Sequence, residues 1–398
     1  MPANDTLATL DRAQFDELLR GRSEPEWLTT ARQEAWSAFE AAEMPFWRRS
    51  NLKGFNWADY RPAEVAASIE FAGAPGVVVL PLAEAIQKHG DLVRRVFASA
   101  IHTERDKFAA LNNALVSGGV FVYVPRNSEV EAPIHIQYRV KNGGDLVAAR
   151  TLGLIEANSR VHIVEEYTSD DFAQPALVLT GAEFEVGDGA LLNYAWVQNL
   201  GRNVTIIGGQ QLNLAGKDAQ GEWLNVVLGG ALQHVTLEAQ MRGNGSSISW
   251  NGVIYGNENQ NLLVAPTLNH IGLNTEGQIN FKTVVDGNAY AVFDGMVRIP
   301  KTGQGTNSDL RENALHLSKT SRSDSIPGLE IDANEVKAGH GSTSGQLDEE
   351  QVFYLQSRGL PFDEAKRTIV LGFVGEIIDM IPEEGLRERI EQVVAEKV

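Results

Sequence analysis

The side chains best suited to polar chemistry in this 398-residue chain are its eight histidines and 52 acids; it has no cysteine. The histidines stand at 89, 102, 135, 162, 234, 270, 316 and 340, with no two at i, i+2 or i+4. No local metal pair is therefore visible. His135 and His162 fall inside apolar runs and read as ordinary strand residues. His340 is different. It lies in EVKAGHGSTSGQLDEEQVFYLQSRGL (335–360), between Gly339 and Gly341 and just before an acidic helix start. The simplest reading of an isolated imidazole there is that it caps a turn between the two glycines. The lack of cysteine excludes disulfides, cysteine-type zinc sites and a self-contained cysteine-ligated iron–sulfur cluster. It leaves open a site shared with another chain.

Other candidate chemistry is weaker. EEYTSDD holds Glu165, Glu166, Asp170 and Asp171, and paired carboxylates of this kind cleave sugars on some β-helices. A solvated turn is the simpler expectation. GQGTNS (303–308) has the glycines of a phosphate loop but neither its strand-to-helix setting nor a Lys-Ser/Thr pair. No G-x-x-x-x-G-K-[ST] and no G-x-S-x-G occurs, so neither a P-loop ATPase nor a serine hydrolase is indicated. These residues point to a binding or scaffold protein rather than an enzyme.

A formal net charge of −18 repels phosphate backbones and anionic lipid, which argues against nucleic-acid and membrane partners. No apolar run reaches the roughly 18 residues that span a bilayer. The N-terminus carries acids early and no apolar h-region, so a cytoplasmic protein is expected.

The elements that must position these side chains fall into three zones. Residues 1–117 read mostly as helix. Leu10, Phe15, Leu18 and Leu19 share one face, and a second run places Trp27, Leu28, Ala31, Ala35, Trp36 and Phe39 at helical spacing after Pro25. GVVVLPLAEAIQKHG predicts a strand and then a helix closed by Gly90; DKFAALNNALVSGG predicts a helix ending at Gly118 and Gly119. Residues 118–345 hold short β-rich runs and most of the 38 glycines. Alternation sets Val161, Ile163 and Glu165 opposite His162, Val164 and Glu166. Sandwich, propeller and solenoid are the candidates. A propeller period of 40–50 residues is absent, and turns near every ten residues suit a β-helix. Residues 346–398 are helical again: one helix stops at Gly359, an apolar one follows, and a last spaces Leu386, Ile390, Val393 and Val394 along one face. That face packs on its own domain or docks a partner.

Residues 327–359, PGLEIDANEVKAGHGSTSGQLDEEQVFYLQSRG, resemble a long segment of fixed spacing in the SufB/SufD family of the SUF iron–sulfur assembly system. Residues 274–299, 106–136 and 24–52 resemble further parts of it, so the likeness spans nearly the whole chain. It implies a right-handed parallel β-helix between N- and C-terminal helical regions. The cysteine that other members carry two residues before the motif histidine is here Ala338, and the chain is short. Both are more like the cysteine-poor SufD branch, and Gly339 stands where serine is usual. The resemblance implies a non-catalytic scaffold that pairs with a SufB-type subunit, with a contact within about 270–345. A SufC-type ATPase is expected on residues 346–398, with Asp348, Glu349, Glu350, Phe353, Tyr354, Arg358 and Phe373 as docking residues. It makes His340 an iron or nascent-cluster ligand at the subunit interface. No cofactor is expected to bind this chain stably on its own; a cluster at the interface and reduced flavin in the complex stay open. A self-paired homodimer is the alternative, and a β-helix carbohydrate-active enzyme a third reading.

Overall fold

The computed structural model describes residues 11–50, 52–97, 102–381 and 383–398; Leu10 lies outside them. From Gly118 to Gln346 the chain winds as a parallel β-solenoid of about eight turns. Each turn lays a strand in each of two facing sheets, which we call sheet A and sheet B, the sheet-A strand being split in two in the last two turns. Sheet B runs through the strands Ile134–Val140, Arg160–Ser169, Leu191–Asn199, Gln220–Val227, Ser247–Gly256, Glu276–Val285, Asn307–His316 and Lys337–Gln346. Alternate residues of both sheets point into a shared lumen, which holds the main hydrophobic core.

The corners explain how the coil closes. At every passage from sheet A to sheet B before the last, one residue takes a positive φ: Asn127, Asn158, Gly189, Asp218, Gly245, Asn274 and Gly305. Only Gly, and Asn or Asp at modest cost, adopt that conformation readily. The amide of each donates to the next corner, Asn158 to Asp188 and Gly305 to Glu335 among them, so the corners are stitched into a column. They recur every 27–31 residues, and this, not ten, is the length of one turn.

The two outer faces are covered by different parts of the chain. Helices Arg12–Arg20, Glu26–Ala41 and Lys107–Leu115 close over sheet A, burying Phe15, Trp36, Phe39 and Phe108 against Leu146, Leu177 and Leu179. Buried Arg150 of sheet A donates to Glu183, Asn112 and Asn113, fixing the last of these helices on the sheet. The first zone is not helical throughout. Arg61–Ala63, Ala66–Glu70 and Val78–Pro81 join the sheets, the latter two as antiparallel strands that seal the solenoid's first edge. The helix after Pro81 runs on to Val96 through Gly90, with a kink at His89 (φ −136°) in place of a stop. The helix before Gly118 ends at Leu115, and the two glycines open a strand because a side chain on Gly119 would collide with the Arg150 backbone.

Helices Phe362–Ile378 and Glu384–Lys397 cover sheet B. Leu386, Ile390 and Val394 are buried against its outer face, so the terminal amphipathic stripe is consumed by the chain's own sheet. The helix Glu349–Ser357 stops where expected, at Gly359 with φ +98°. No helix among the described residues is long and apolar enough to cross a membrane.

Candidate functional site

The two ends of sheet B differ. The first is sealed by an antiparallel strand; among the described residues the last strand, Lys337–Gln346, pairs only with Asn307–His316. All ten of its residues are exposed or half-buried. The Lys337 amide donates to Thr306 and the Leu347 amide to His316. Odd-numbered residues between them therefore face the solenoid, and even-numbered ones, His340 and Ser342 included, present free N–H and C=O groups to the open edge. A long unpaired edge of this kind is a template for another strand.

His340 belongs to this edge strand and is exposed. Its place in the coil follows from the register. One ladder of lumen positions runs Tyr194, Trp223, Trp250, Ile279, Leu310 and His340. Leu310 is fully buried in the lumen core, so the imidazole of His340 rises from the same face as the lid of the uncovered last turn. Ala338, the other motif position, pairs with Ser308 on that face and packs on the lumen core.

Beneath this layer several polar groups stand among the apolar residues of the lumen. Buried His270 contacts Thr275 at 2.8 Å through Nδ1 and Ser308 at 3.0 Å through Nε2. Burial holds its pKa down to about 4, so it is a neutral spacer near pH 7. His316 reaches Ser321, Ser323 and Ser344. Glu312 is 1% exposed; the hydroxyls of Thr283 and Ser325 lie beside its carboxyl, yet Oε2 has no well-formed hydrogen bond. Burial pushes its pKa up.

The acidic stretch EEYTSDD divides. Glu166, Asp170 and Asp171 are surface groups paired with Arg389, Arg139 and Arg202. Glu165 is not in a solvated turn. It is fully buried in the lumen, where desolvation raises its pKa to about 7. Thr151, Tyr167, Tyr194 and Trp196 surround it, but none is aligned well enough to bond either carboxylate oxygen. Neither buried acid was singled out from sequence as a lumen group. The signal was there: each sits in the apolar phase of an alternating strand, Glu165 with Val161 and Ile163, Glu312 with Leu310 and Ala314. The loop 303–308 leads into a strand, not a helix, and is one of the corners.

The expected docking residues are not one patch. Asp348 caps its helix, accepting from the Glu350 and Gln351 amides, and Glu349 and Glu350 fill the first turn, where acids suit the helix dipole. Phe353 and Tyr354 are 72% and 57% exposed, and Phe362, on the next helix, is 53% exposed. Arg358 reaches the Tyr354 hydroxyl at 3.3 Å. Phe373 stands apart, half-buried against sheet B with the Lys282 ammonium 5.2 Å from its ring centre.

The solenoid thus has one sealed end and one bare edge, with polar groups under that edge. The models of two family regions match: the SUF system FeS cluster assembly SufBD core domain over residues 138–373, and the SufBD N-terminal region over 66–136. The chain belongs to the SufBD family of the SUF iron–sulfur cluster assembly system. Its relatives include the iron–sulfur cluster assembly protein SufD of Bacillus subtilis, 30% identical over 85% of this chain and 78% of that protein. SufB of the same organism is 27% identical over 96% and 83%. A SufBD family protein of Staphylococcus aureus is 25% identical over 92% and 89%.

Proposed function

We propose that this chain is the cysteine-free companion subunit of an iron–sulfur assembly scaffold. Its last strand pairs edge to edge with a cysteine-bearing SufB-type subunit. His340 offers an imidazole to the nascent cluster across that junction, and the partner supplies thiolate. Phe353, Tyr354 and Phe362 dock a SufC-type ATPase, whose hydrolysis cycle moves the two subunits. The observation that carries the reading is the bare strand Lys337–Gln346 with His340 on it. Among the described residues no three His, Asp or Glu side chains converge as a metal site, which suits a site completed by another chain. The same edge could pair with its own copy about a two-fold axis, giving a homodimer; partner competition decides between the two.

The test is co-expression of this chain, tagged, with SufB-type and SufC-type proteins. All three are expected in the eluate, with the ATPase lost from a Phe353→Ser/Tyr354→Ser double variant. His340→Ala is expected to leave the assembly intact and abolish its iron–sulfur absorption. An unchanged cluster content in that variant would remove His340 from the role.

A further inference from the structure

The open end of the lumen holds a second group that the reading of His340 does not use. Glu312 and the half-buried Ser325, whose hydroxyl is buried, come from opposite sheets and meet inside the coil, so the carboxyl lies in the lumen itself. In the register Leu310 lies under His340 and Glu312 under Ser342. Glu312 is thus one strand over and two residues along from His340, on the same face. Strands spaced ~4.8 Å apart with ~6.6 Å between alternate residues put the two Cα atoms roughly 8 Å apart. In the structure the Glu312 carboxyl lies toward Thr283 and Ser325, so a change of side-chain rotamer is what brings it to the His340 imidazole.

A carboxyl without a well-formed partner for one oxygen is costly to bury. Phe281, the residue before it on the same ladder, shows that a large apolar side chain fits this row. Glu312 also sits in the last covered turn, with only the exposed Ser342 above it. A cation arriving at His340 would neutralise it. Imidazole and carboxylate together suit divalent iron, whereas a site for a softer ion would favour sulfur alone.

We propose that Glu312 is a second ligand from this chain, closing with His340 on a ferrous ion delivered to the open end of the lumen. The proposal rests on the cluster-facing role of His340. It divides the labour at the junction: this chain holds iron through nitrogen and oxygen, and the partner holds sulfur.

The test is an anaerobic titration with Co(II), a stand-in for Fe(II) whose visible spectrum reports its ligands. It uses the purified complex with the SufB-type subunit, or this chain alone should no complex form. Wild type, Glu312→Gln, Glu312→Asp and His340→Ala are compared, each with a thermal melt. Glu312→Gln is expected to weaken binding at least tenfold and shift the spectrum, while melting no lower than wild type. Should it fail to fold, Glu312→Asp carries the test, keeping the charge but withdrawing the oxygen by one methylene. Wild-type affinity and spectrum in a folded Glu312 variant, with binding lost in His340→Ala, would overturn the role of Glu312 and leave that of His340 standing. Wild-type binding in His340→Ala, or none in wild type, would overturn both.

Discussion

The chemistry of individual residues here is governed by which face of a strand they occupy. Glu165 and Glu166 are neighbours, yet one is fully buried and the other is a surface group paired with Arg389. Burial keeps Glu165 neutral in the folded protein up to about pH 7, while the unfolded chain releases that proton near 4.5. Between those values the folded state binds more protons, so stability falls as pH rises, and the loss is complete above pH 7. A shift of this size corresponds to about 3 kcal/mol. Glu165→Gln is therefore expected to raise the melting temperature at pH 8 and leave it unchanged at pH 4.5. Equal effects at both pH values, by calorimetry, would show that the carboxyl is ionised in the fold. At this scale the sequence was partly legible. His340 stood out because glycines flank it and a long motif surrounds it. Glu165 and Glu312 were hidden because local alternation tells which residues share a face but not that both sheets turn that face into one closed lumen.

At the scale of elements, most helices were readable from caps and spacing, although Gly90, read as a stop, lies inside one. What spacing could not say was which surface each stripe meets; Leu386 and Ile390 find the outer face of sheet B, some two hundred residues earlier in the chain. The turn length was obscured for a related reason. Asn158, Gly189, Asp218 and Gly245 fill one structural role with three residue types, so an identity repeat does not form although a conformational one does. Gly252 marks a further constraint: a Cβ there would lie 2.1 Å from the Phe281 ring. Gly252→Ala is expected to destabilise by roughly 1–3 kcal/mol through overpacking, measured by denaturant melts. The last strand allows a paired prediction. Thr343→Pro removes an amide that faces the solenoid and should loosen the final turn, seen as faster amide exchange in 337–346. Ser342→Pro removes one that faces the open edge and should leave that turn protected. Equal loss of protection in both would refute the assigned orientation of the edge.

The whole molecule is a rod with a direction. Antiparallel strands and the first helices seal one end and one face; the C-terminal helices cover the other face; the far end is left bare. A net charge of −18 favours a soluble partner over nucleic acid. Family membership and the β-solenoid agree with what the resemblance implied; the proposed junction at the bare edge is narrower than the 270–345 stretch that the resemblance implied. The central claim is that this edge is the subunit junction. The most direct measurement is the native mass of this chain co-purified with a SufB-type subunit, for wild type and for Ser342→Pro. The account predicts a two-chain mass for wild type and a folded, unpaired chain for the variant. A two-chain mass retained by Ser342→Pro would place the junction elsewhere and contradict it.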